Sequence, residues 1–335
     1  MQDCVSKPDL PLELRVSLLR QHGNFSQAYS AVYQPALDYF GDHRGFLAYK
    51  MVGRTAMVLA DPIAPAERFA DLITEFLNEF SDAVFCQSSH PTAEILAAKG
   101  FMVNEMGLET KLDLTDYTFD GYAKQHLRRA NNRVVKLKCT IKESSFAEVD
   151  PAQIKLVSDK WRENRTLNTH TLSFLVRPIV LDDEPDVRKF FLFDEAGRLV
   201  AFEFFDPVYE GGRVIGYMDQ FRRRLPEADP KVNYAISYRA IETFRNEGRQ
   251  WMFIGLSPFA AIGDPEFRCN RFVRRSFKNI YNSPLFNRLV YPLQGHAFHK
   301  SRYGGNSEQT FYAFNKGPSL FRMIKLMRAC NIIPL

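Results

Sequence analysis

The order of predicted strands and helices in the first half of the chain is the feature that most narrows its fold. Residues 45–62 predict a hairpin with Gly53 at the turn, because glycine tolerates the positive φ that such turns require. Apolar residues at three- and four-residue spacing predict a helix over residues 69–80. A short strand at residues 83–89, a helix over residues 92–100 and an extended segment follow. This order predicts an α/β unit whose helices cover the faces of a sheet.

The second half of the chain has a similar order of elements. Residues 150–164 predict a helix, and residues 187–221 predict three strands joined by turns that contain glycine. A helix over residues 232–246 and a buried strand at residues 250–256 come next, before a long tail from Pro258. The similarity between the halves suggests an internal duplication.

A basic segment separates the two halves. Between Tyr117 and Lys142 the chain carries seven Lys or Arg residues and no acidic residue after Asp120. The segment therefore predicts a basic connector helix. The predicted domains are residues 1–116, the connector at residues 117–142, and residues 143–335.

The composition excludes several classes of protein. With 335 residues, 45% of them hydrophobic and 25% charged, the chain lies in the globular range and is long enough for two domains. No run approaches the roughly 20 apolar residues of a membrane-spanning helix, and the start of the chain lacks the pattern of a secretory signal. The five cysteines have no metal-ligand or redox spacing. We therefore expect a cytoplasmic protein with no metal and no cofactor.

Six motifs, distributed over most of the chain, resemble those of one known family. They are GFLAYKMVGRTAMVLADP, YAKQHLRRANNRVVK, SDKWRENR, GYMDQFRR, FIGLSP and FHKSRYGG. By their number, order and spacing, the chain resembles the C-terminal catalytic domain of the bacterial phosphatidylglycerol lysyltransferases, also called multiple peptide resistance factors. The resemblance implies an α/β fold of two tandem acetyltransferase-like (GNAT) domains. It also implies transfer of an aminoacyl group from a charged tRNA, the co-substrate, to a phosphatidylglycerol-like lipid or to a small molecule.

The family's DxxR pattern falls on Asp219 and Arg222, near the end of a predicted strand. By similarity these two residues belong to the catalytic site, where a carboxylate can orient the acceptor and an arginine can hold a phosphate or carboxylate. Ligand crevices form at strand ends in open α/β sheets, so we expect both residues at the mouth of a crevice and outside the core. The alternative is a structural ion pair.

Four further residues are expected to bind substrate. By resemblance, the FIGLSP loop lines the donor pocket with Gly255 and Ser257, and glycine there allows close backbone approach. Lys300 in FHKSRYGG matches a lysine of the family and can contact a phosphate of the donor or of a lipid. Arg302 is assigned to the same role. A surface location for Lys300 is the alternative.

The connector is expected to bind tRNA. Several cationic groups on one helix attract a polyanion and release its counterions. The expected contacts are Arg128, Arg129, Arg133 and Lys136. The alternative is an ordinary solvated helix between domains. A second basic cluster, Arg268 to Lys278, alternates with phenylalanines that more often belong to a core than to a base-stacking surface.

The segment after Asp219 argues against coenzyme A as donor. Acetyl-CoA-dependent members of the fold place a glycine-rich loop there, whose backbone N–H groups bind pyrophosphate. Here no glycine lies between Asp219 and the helix at Val232, and Pro226 and Pro230 lack N–H groups. An acyl-CoA- or acyl-carrier-dependent GNAT-type N-acyltransferase is the alternative function. A non-catalytic nucleic-acid-binding module would usually be more basic than the net charge of +5.

The last helical segment carries apolar residues on one stripe and basic residues elsewhere. Such a basic amphipathic helix, around Leu320 to Arg328, can lie on an anionic membrane, and packing on the domain is the alternative. Peripheral contact with the inner membrane face is therefore one expectation. The transferred amino acid, the choice between lipid and small molecule, and the oligomeric state stay open.

Overall fold

The fold is known from a computed structural model that describes residues 10–164, 173–317 and 319–332. One of the five cysteines, Cys4, and the final Arg165 of the SDKWRENR motif lie outside the described residues. Within the described ranges, no helix is both long and apolar enough to cross a membrane.

One mixed sheet organises the described residues. In chain order its strands are β1 (Asp38–Asp42), β2 (Gly45–Val52), β3 (Thr55–Leu59), β4 (Ala83–Ser88), β5 (Met102–Asp113), β6 (Thr140–Glu143), β7 (Arg188–Phe193), β8 (Leu199–Glu210), β9 (Arg213–Arg224), β10 (Trp251–Pro258) and β11 (Asn306–Phe314). The strand order across the sheet is β1-β2-β3-β4-β11-β5-β10-β9-β8-β7-β6. The predicted α/β fold is confirmed, while the division into two tandem domains stays a prediction.

Helices cover the sheet. They are α1 (Leu12–His22), α2 (Ala28–Tyr33), α3 (Phe69–Glu79), α4 (His90–Ala98), α5 (Gln125–Lys136), α6 (Pro151–Glu163), α7 (Val232–Asn246), α8 (Arg271–Asn282), α9 (Pro284–Leu289), α10 (Leu293–Ser301) and α11 (Ser319–Ala329). The predicted helix over 232–246 has the observed bounds, and the predicted hairpin turns at Gly53 with φ +63°. Leu72, Ile73 and Phe76 bury the predicted face of α3.

Strand β11 is the longest of the strands that the sequence pattern did not predict; β1 and β6 are the others, and β6 begins at Thr140, inside the segment predicted as the connector helix. Strand β11 lies between β4 and β5, antiparallel to both, although more than 190 residues separate it from either strand. The last third of the chain therefore completes the sheet of the first third. Periodicity reports local structure and carries no information about which distant strand becomes a neighbour.

The last helix packs against the first half of the sheet through its basic residues. Arg322 is 4% exposed and donates from Nη1 to Thr55 Oγ1 at 3.0 Å, and it also pairs with Asp82. Lys325 contacts the same Thr55 hydroxyl. These two cations face the protein, so they do not form the solvent-facing basic side of an amphipathic helix.

A buried arginine joins β8 to the segment that begins at residue 173. The Arg177 guanidinium donates to Asp206 at 2.8 and 2.6 Å and to Glu184 at 2.8 and 2.9 Å. The side chains of Arg177 and Asp206 are each 1% exposed. A buried cation between two carboxylates is stable only while every partner is present.

We predict that Arg177→Ala lowers the free energy of unfolding by about 3–5 kcal/mol, because it leaves the Asp206 carboxylate buried without its cation. Chemical denaturation measures the decrease. Arg162→Ala, which breaks an exposed ion pair with Asp159 on α6, is the control and should cost less than about 1 kcal/mol. Equal decreases in the two variants would contradict the structural role of Arg177.

Candidate functional site

The neighbouring parallel strands β9 and β10 separate near the middle of the sheet. Their pairing runs from Gly216 with Trp251 to Met218 with Phe253 and ends there, although both strands continue. Strand β10 instead stays paired with β5 to its end, with a bulge between Phe253 and Gly255. A wedge therefore opens at the carboxyl ends of two parallel strands, where ligand crevices form in α/β sheets.

A second bulge, at Gln220 in β9, places Asp219 and Arg222 on the same face. Residues three apart on a regular strand point to opposite faces. Here Asp219 pairs with Phe205 and Arg222 pairs with Glu203, two positions that are themselves two apart on β8. The bulge thus adds the residue that brings the DxxR side chains together.

Asp219 and Arg222 form a close ion pair. Arg222 Nε donates to Asp219 Oδ2 at 2.6 Å, and Arg222 Nη2 contacts the same oxygen. The Asp219 side chain is 1% exposed and that of Arg222 is 18% exposed. The expectation that both residues lie outside the core is therefore wrong for Asp219, because the bulge turns its carboxylate inward.

Three buried side chains continue the network behind Arg222. Arg222 Nε lies 3.8 Å from Glu203 Oε1, and Glu203 Oε2 accepts a hydrogen bond from Ser237 Oγ at 2.8 Å. The Tyr303 hydroxyl lies 3.0 Å from Ser237 Oγ. Burial, followed by the charge of Asp219, raises the pKa of Glu203 well above its ordinary value. A carboxyl in this position tends to hold its proton unless Arg222 stays charged beside it.

His299, on α10, contacts the other side of the Arg222 guanidinium. Its Nε2 lies against Arg222 Nη1 and 3.4 Å from the Tyr303 hydroxyl. Burial and the positive charge of Arg222 lower the pKa of His299 to about 2. The imidazole is therefore neutral at physiological pH, and its Nε2 accepts a hydrogen bond from Arg222.

Lys300 reaches the wedge from the same helix. Its Nζ donates to the carbonyl oxygen of Leu256 at 2.5 Å. Burial and the charge of Arg222 lower the pKa of the ammonium to about 7, against the opposing influence of Asp219 and Glu109. The surface location considered for Lys300 is thus not what the structure has.

Gly255 leaves space at the base of the wedge. Its φ of +83° is strained for other residues, and a Cβ there would lie 2.4 Å from Met218 Cε and 3.4 Å from Lys300 Nζ. Ser257, two residues on, is buried. Gly255 therefore lies beside Lys300, whose ammonium donates to the carbonyl of Leu256, the residue between Gly255 and Ser257.

A carboxylate from the first half of the chain faces Lys300. Glu109, on β5, accepts from Gln87 Nε2 at 3.3 Å and contacts Ser26 Oγ. Burial raises the pKa of Glu109, while the Ser26 hydrogen bond and the charge of Lys300 lower it. The site thus has polar walls from both halves.

Sequence reasoning missed five residues of this site: Glu109, Glu203, Ser237, His299 and Tyr303. A carboxylate within an otherwise apolar strand, as in VAFEFF, is a signal that could have indicated Glu203. His299 and Tyr303 are four residues apart in the motif that holds Lys300, so helical spacing could have suggested that these two side chains meet. Nothing in the sequence indicates Ser237.

Arg302 lies apart from the ion pair. It is half-buried, and its guanidinium stacks 4.1 Å from the ring centroid of Phe298. The connector residues also differ among themselves. Arg128 donates to the carbonyl of Gly121 at 3.0 Å, and Arg133 pairs with Asp229 at 3.0 Å. Arg129 and Lys136 are exposed and form no ion pair with any residue that the structure describes.

The loop after β9 has its carbonyl groups turned inward. Arg224 Nη1 donates to the carbonyl oxygens of Leu225, Pro226 and Ala228 at 3.2, 3.3 and 3.1 Å. A pyrophosphate site needs the opposite arrangement, with several N–H groups converging on the anion. This loop binds a cation of the protein itself.

Other concave regions lie away from this network. One of about 350 Å³ is lined by Cys139 and Asp229, and another of about 470 Å³ is lined by Ser145 and Arg188. Neither includes Asp219, Arg222 or Lys300. Among the residues that the structure describes, no group of three His, Cys, Asp or Glu side chains is placed to hold a metal ion.

Comparisons with known proteins point to one family. The family model described as phosphatidylglycerol lysyltransferase, C-terminal, matches residues 15–314. The phosphatidylglycerol lysyltransferase of Bacillus subtilis (strain 168) is 25% identical over 288 residues, which are 83% of this chain and 32% of that protein. The corresponding protein of Staphylococcus haemolyticus (strain JCSC1435) is 24% identical over 319 residues, 90% of this chain and 36% of that protein. The chain spans about a third of the length of these relatives.

Solved structures share the fold. L-PGS from Bacillus licheniformis superposes with a TM-score of 0.77 at 19% identity and covers 98% of each chain. A C-terminal domain (DUF2156) from Agrobacterium fabrum gives a TM-score of 0.74 at 18% identity, with 95% of each chain covered. FemX gives 0.57 at 10% identity, covering 95% of this chain and 99% of that one.

We predict that the Lys300 amine titrates with a midpoint of about 7. Labelling with acetic anhydride across the pH range, followed by mass spectrometry, measures the midpoint, with Lys99 followed in the same samples for comparison. Arg222→Met removes the nearby positive charge, so the midpoint should rise in that variant. A wild-type midpoint above about 9, near the ordinary range of lysine, would contradict this environment.

Proposed function

Since the chain belongs to the family of phosphatidylglycerol lysyltransferase C-terminal domains, we propose that it is an aminoacyl-tRNA-dependent acyltransferase. The proposed donor is a charged tRNA, and the proposed acceptor is a phosphatidylglycerol-like lipid. The observation that carries the proposal is that Asp219, Arg222 and Lys300 lie close together where β9 separates from β10. A small-molecule acceptor is the other outcome that a transfer assay distinguishes.

The reaction is an ester exchange. The acceptor hydroxyl oxygen bonds to the aminoacyl carbonyl carbon, the bond from that carbon to the tRNA ribose oxygen breaks, and the hydroxyl proton passes to the ribose oxygen. An aminoacyl ester is already activated, so the main tasks of the enzyme are positioning and stabilisation of charge.

We assign Arg222 to contact the substrate and Asp219 to hold Arg222 in place. The Asp219 carboxylate is buried, whereas part of the Arg222 side chain is exposed. Asp219 Oδ2 and His299 Nε2 hold the guanidinium from two sides, which leaves it little rotational freedom. A fixed guanidinium can bind a lipid phosphate or the oxyanion that develops on the ester carbonyl.

Lys300 is our candidate for the group that moves the proton. A pKa of about 7 leaves a large fraction of the amine neutral at physiological pH. A neutral amine can accept the proton of the acceptor hydroxyl and return it to the leaving ribose oxygen. Its place beside Gly255, where a side chain would obstruct the wedge, supports this role.

The loop from Leu225 to Lys231 argues against the acyl-CoA alternative. Arg224 occupies its carbonyl-lined interior, so a pyrophosphate would have to displace a side chain that makes three hydrogen bonds. Glu227 and Asp229 add negative charge on the same loop. No observation on the described residues favours an acyl-CoA donor.

For tRNA binding we propose the exposed side of α5. Leu127, Ala130 and Val134 bury the opposite side, and α5 packs on α7. Arg129 and Lys136 are the contacts best placed for phosphate, because Arg133 already pairs with Asp229 and Arg128 binds backbone carbonyls. Phosphate contacts of this kind position a polyanion and take no part in the ester chemistry.

Membrane contact through α11 stays a prediction, and the structure lends it limited support. Arg322 and Lys325 are engaged with Thr55, whereas Leu320 and Phe321 near the start of the helix are 53% and 59% exposed. The apolar part of such a contact is available, but these two charges are not.

Arg222→Ala should lower kcat/KM for transfer, because it removes one oriented charged group from the site. The expected decrease corresponds to a loss of about 2–4 kcal/mol of transition-state stabilisation. Asp219→Asn should lower kcat more than it raises KM. The Arg222 guanidinium would still bind the substrate in this variant, but it would no longer be held in the position that the reaction requires. The assay follows radiolabel from a mixed aminoacyl-tRNA pool into lipid extract or into water-soluble product. Thermal melting tests the fold of each variant.

Asp159→Asn, in an exposed ion pair on α6, is the matched control and should keep full activity. Near-normal turnover in folded Arg222→Ala protein would remove this residue from the site. Decreases in activity that merely follow decreases in stability would favour the structural ion pair instead.

Replacing both Arg129 and Lys136 with alanine should weaken tRNA binding and flatten the log–log salt dependence by about one unit for each phosphate that is no longer neutralised. Turnover of a minimal aminoacyl ester donor should not change. Lys99 and Lys316, replaced together, form a control with an equal reduction of charge outside α5. A salt dependence that matches this control would show that α5 is an ordinary solvated helix.

A further inference from the structure

A long segment near the end of the chain is basic and has no acidic residue. Between Glu266 and Glu308 there are 41 residues, eight of them Lys or Arg, and all 39 acidic residues of the chain lie outside the segment. The segment contains helices α8, α9 and α10, which pack against one another. Arg271, Arg275 and Arg288 are exposed and form no ion pair with any residue in the described ranges.

The same three helices expose large apolar side chains. Leu285 and Leu289 are 68% and 50% exposed, Phe298 is 60% exposed and Phe272 is 50% exposed. The two leucines are four residues apart and therefore lie on one side of α9, a helix with no buried residue. Phe298 projects from α10 with the Arg302 guanidinium over its ring.

We propose that the surface of α8, α9 and α10 docks on an anionic lipid bilayer, with Leu285, Leu289 and Phe298 inserted among the headgroups. Exposed apolar side chains among cations are the composition of interfacial helices, and the segment itself contains no carboxylate, although Asp264 just before it pairs with Arg274 on α8 at 3.0 Å. The positive charge complements anionic headgroups. A tRNA would also match the charge but would leave the two leucines of α9 in water, so the bilayer is the occupant that accounts for both features.

This surface lies close to the candidate site. Its relevance to catalysis rests on the proposed function. On α10, Phe298 and Arg302 lie on one side, four residues apart. The adjacent side carries His299 and Lys300, which contact Arg222 and Leu256 in the site. A bilayer against the outer side of α10 would thus lie across this helix from the wedge. A lipid acceptor could then reach the site with its headgroup near the membrane surface.

Partition onto vesicles tests the surface without turnover. Wild-type protein should bind vesicles of equal phosphatidylglycerol and phosphatidylcholine, and should bind pure phosphatidylcholine far more weakly. The combined substitutions L285S, L289S and F298S should reduce partition by about tenfold or more, because they remove the inserting side chains and keep the charge. The control combines L12S, L156S and V180S, at exposed positions outside the three helices, and should partition like wild type.

A second measurement distinguishes insertion from charge attraction alone. The fluorescence of L285W should shift to shorter wavelength on anionic vesicles and be quenched by brominated lipids. Equal partition of wild type and the L285S/L289S/F298S variant, or L285W fluorescence without quenching, would overturn the proposal. So would a decrease in tRNA binding, with unchanged vesicle binding, on joint replacement of Arg271 and Arg275.

These outcomes are independent of the transfer assay. A protein that inserts into vesicles but moves no aminoacyl group would refute only the proposed function. A protein that transfers to dispersed lipid but does not insert would refute only the docking surface.

Discussion

The antiparallel pairing of β5 with β10 is the contact on which the rest of the structure depends. It joins a strand of the first half to a strand of the second and makes one sheet of both. Gly107 allows this contact, because a Cβ there would lie 2.3 Å from the carbonyl oxygen of Ser257. Because β10 stays paired with β5 beyond its bulge, it separates from β9. The wedge between β9 and β10 is the result. The site is therefore a consequence of how the two halves are joined.

The charges of the site are balanced within a small buried volume. Asp219 and Glu203 lie beside the Arg222 guanidinium, and Glu109 faces Lys300. Because two cations are close together, the ammonium of Lys300 is the form that burial and Arg222 disfavour, and its pKa falls. An arrangement of this kind reduces stability locally and gives an amine that can exchange protons near neutral pH.

Two basic surfaces of the protein differ in their apolar content. On α5, the apolar residues Leu127, Ala130 and Val134 are buried and only Val135 is exposed, so the cations lie on a mostly polar surface that suits a hydrated polyanion. On α8 to α10, cations surround leucine and phenylalanine side chains that face solvent, which suits a headgroup layer. The same charge therefore supports two different proposed partners, and burial of the neighbouring apolar residues distinguishes them.

The sequence by itself determined the local elements and the chemistry available to them. Helical spacing predicted α3 and α7, the glycine turn predicted the first hairpin, and the motifs selected Asp219, Arg222, Gly255 and Lys300. Each of these signals lies within a window of about 20 residues, where side-chain period and backbone preference act directly.

Only the tertiary structure decided how those residues meet. The bulge at Gln220 turned Asp219 inward beside Arg222, and the insertion of β11 between β4 and β5 completed the sheet. Glu109, Glu203 and Tyr303 came to the site from three separated stretches of the chain. Strand register, bulges and long-range pairing are set by the packing of the whole core, and no local pattern encodes them.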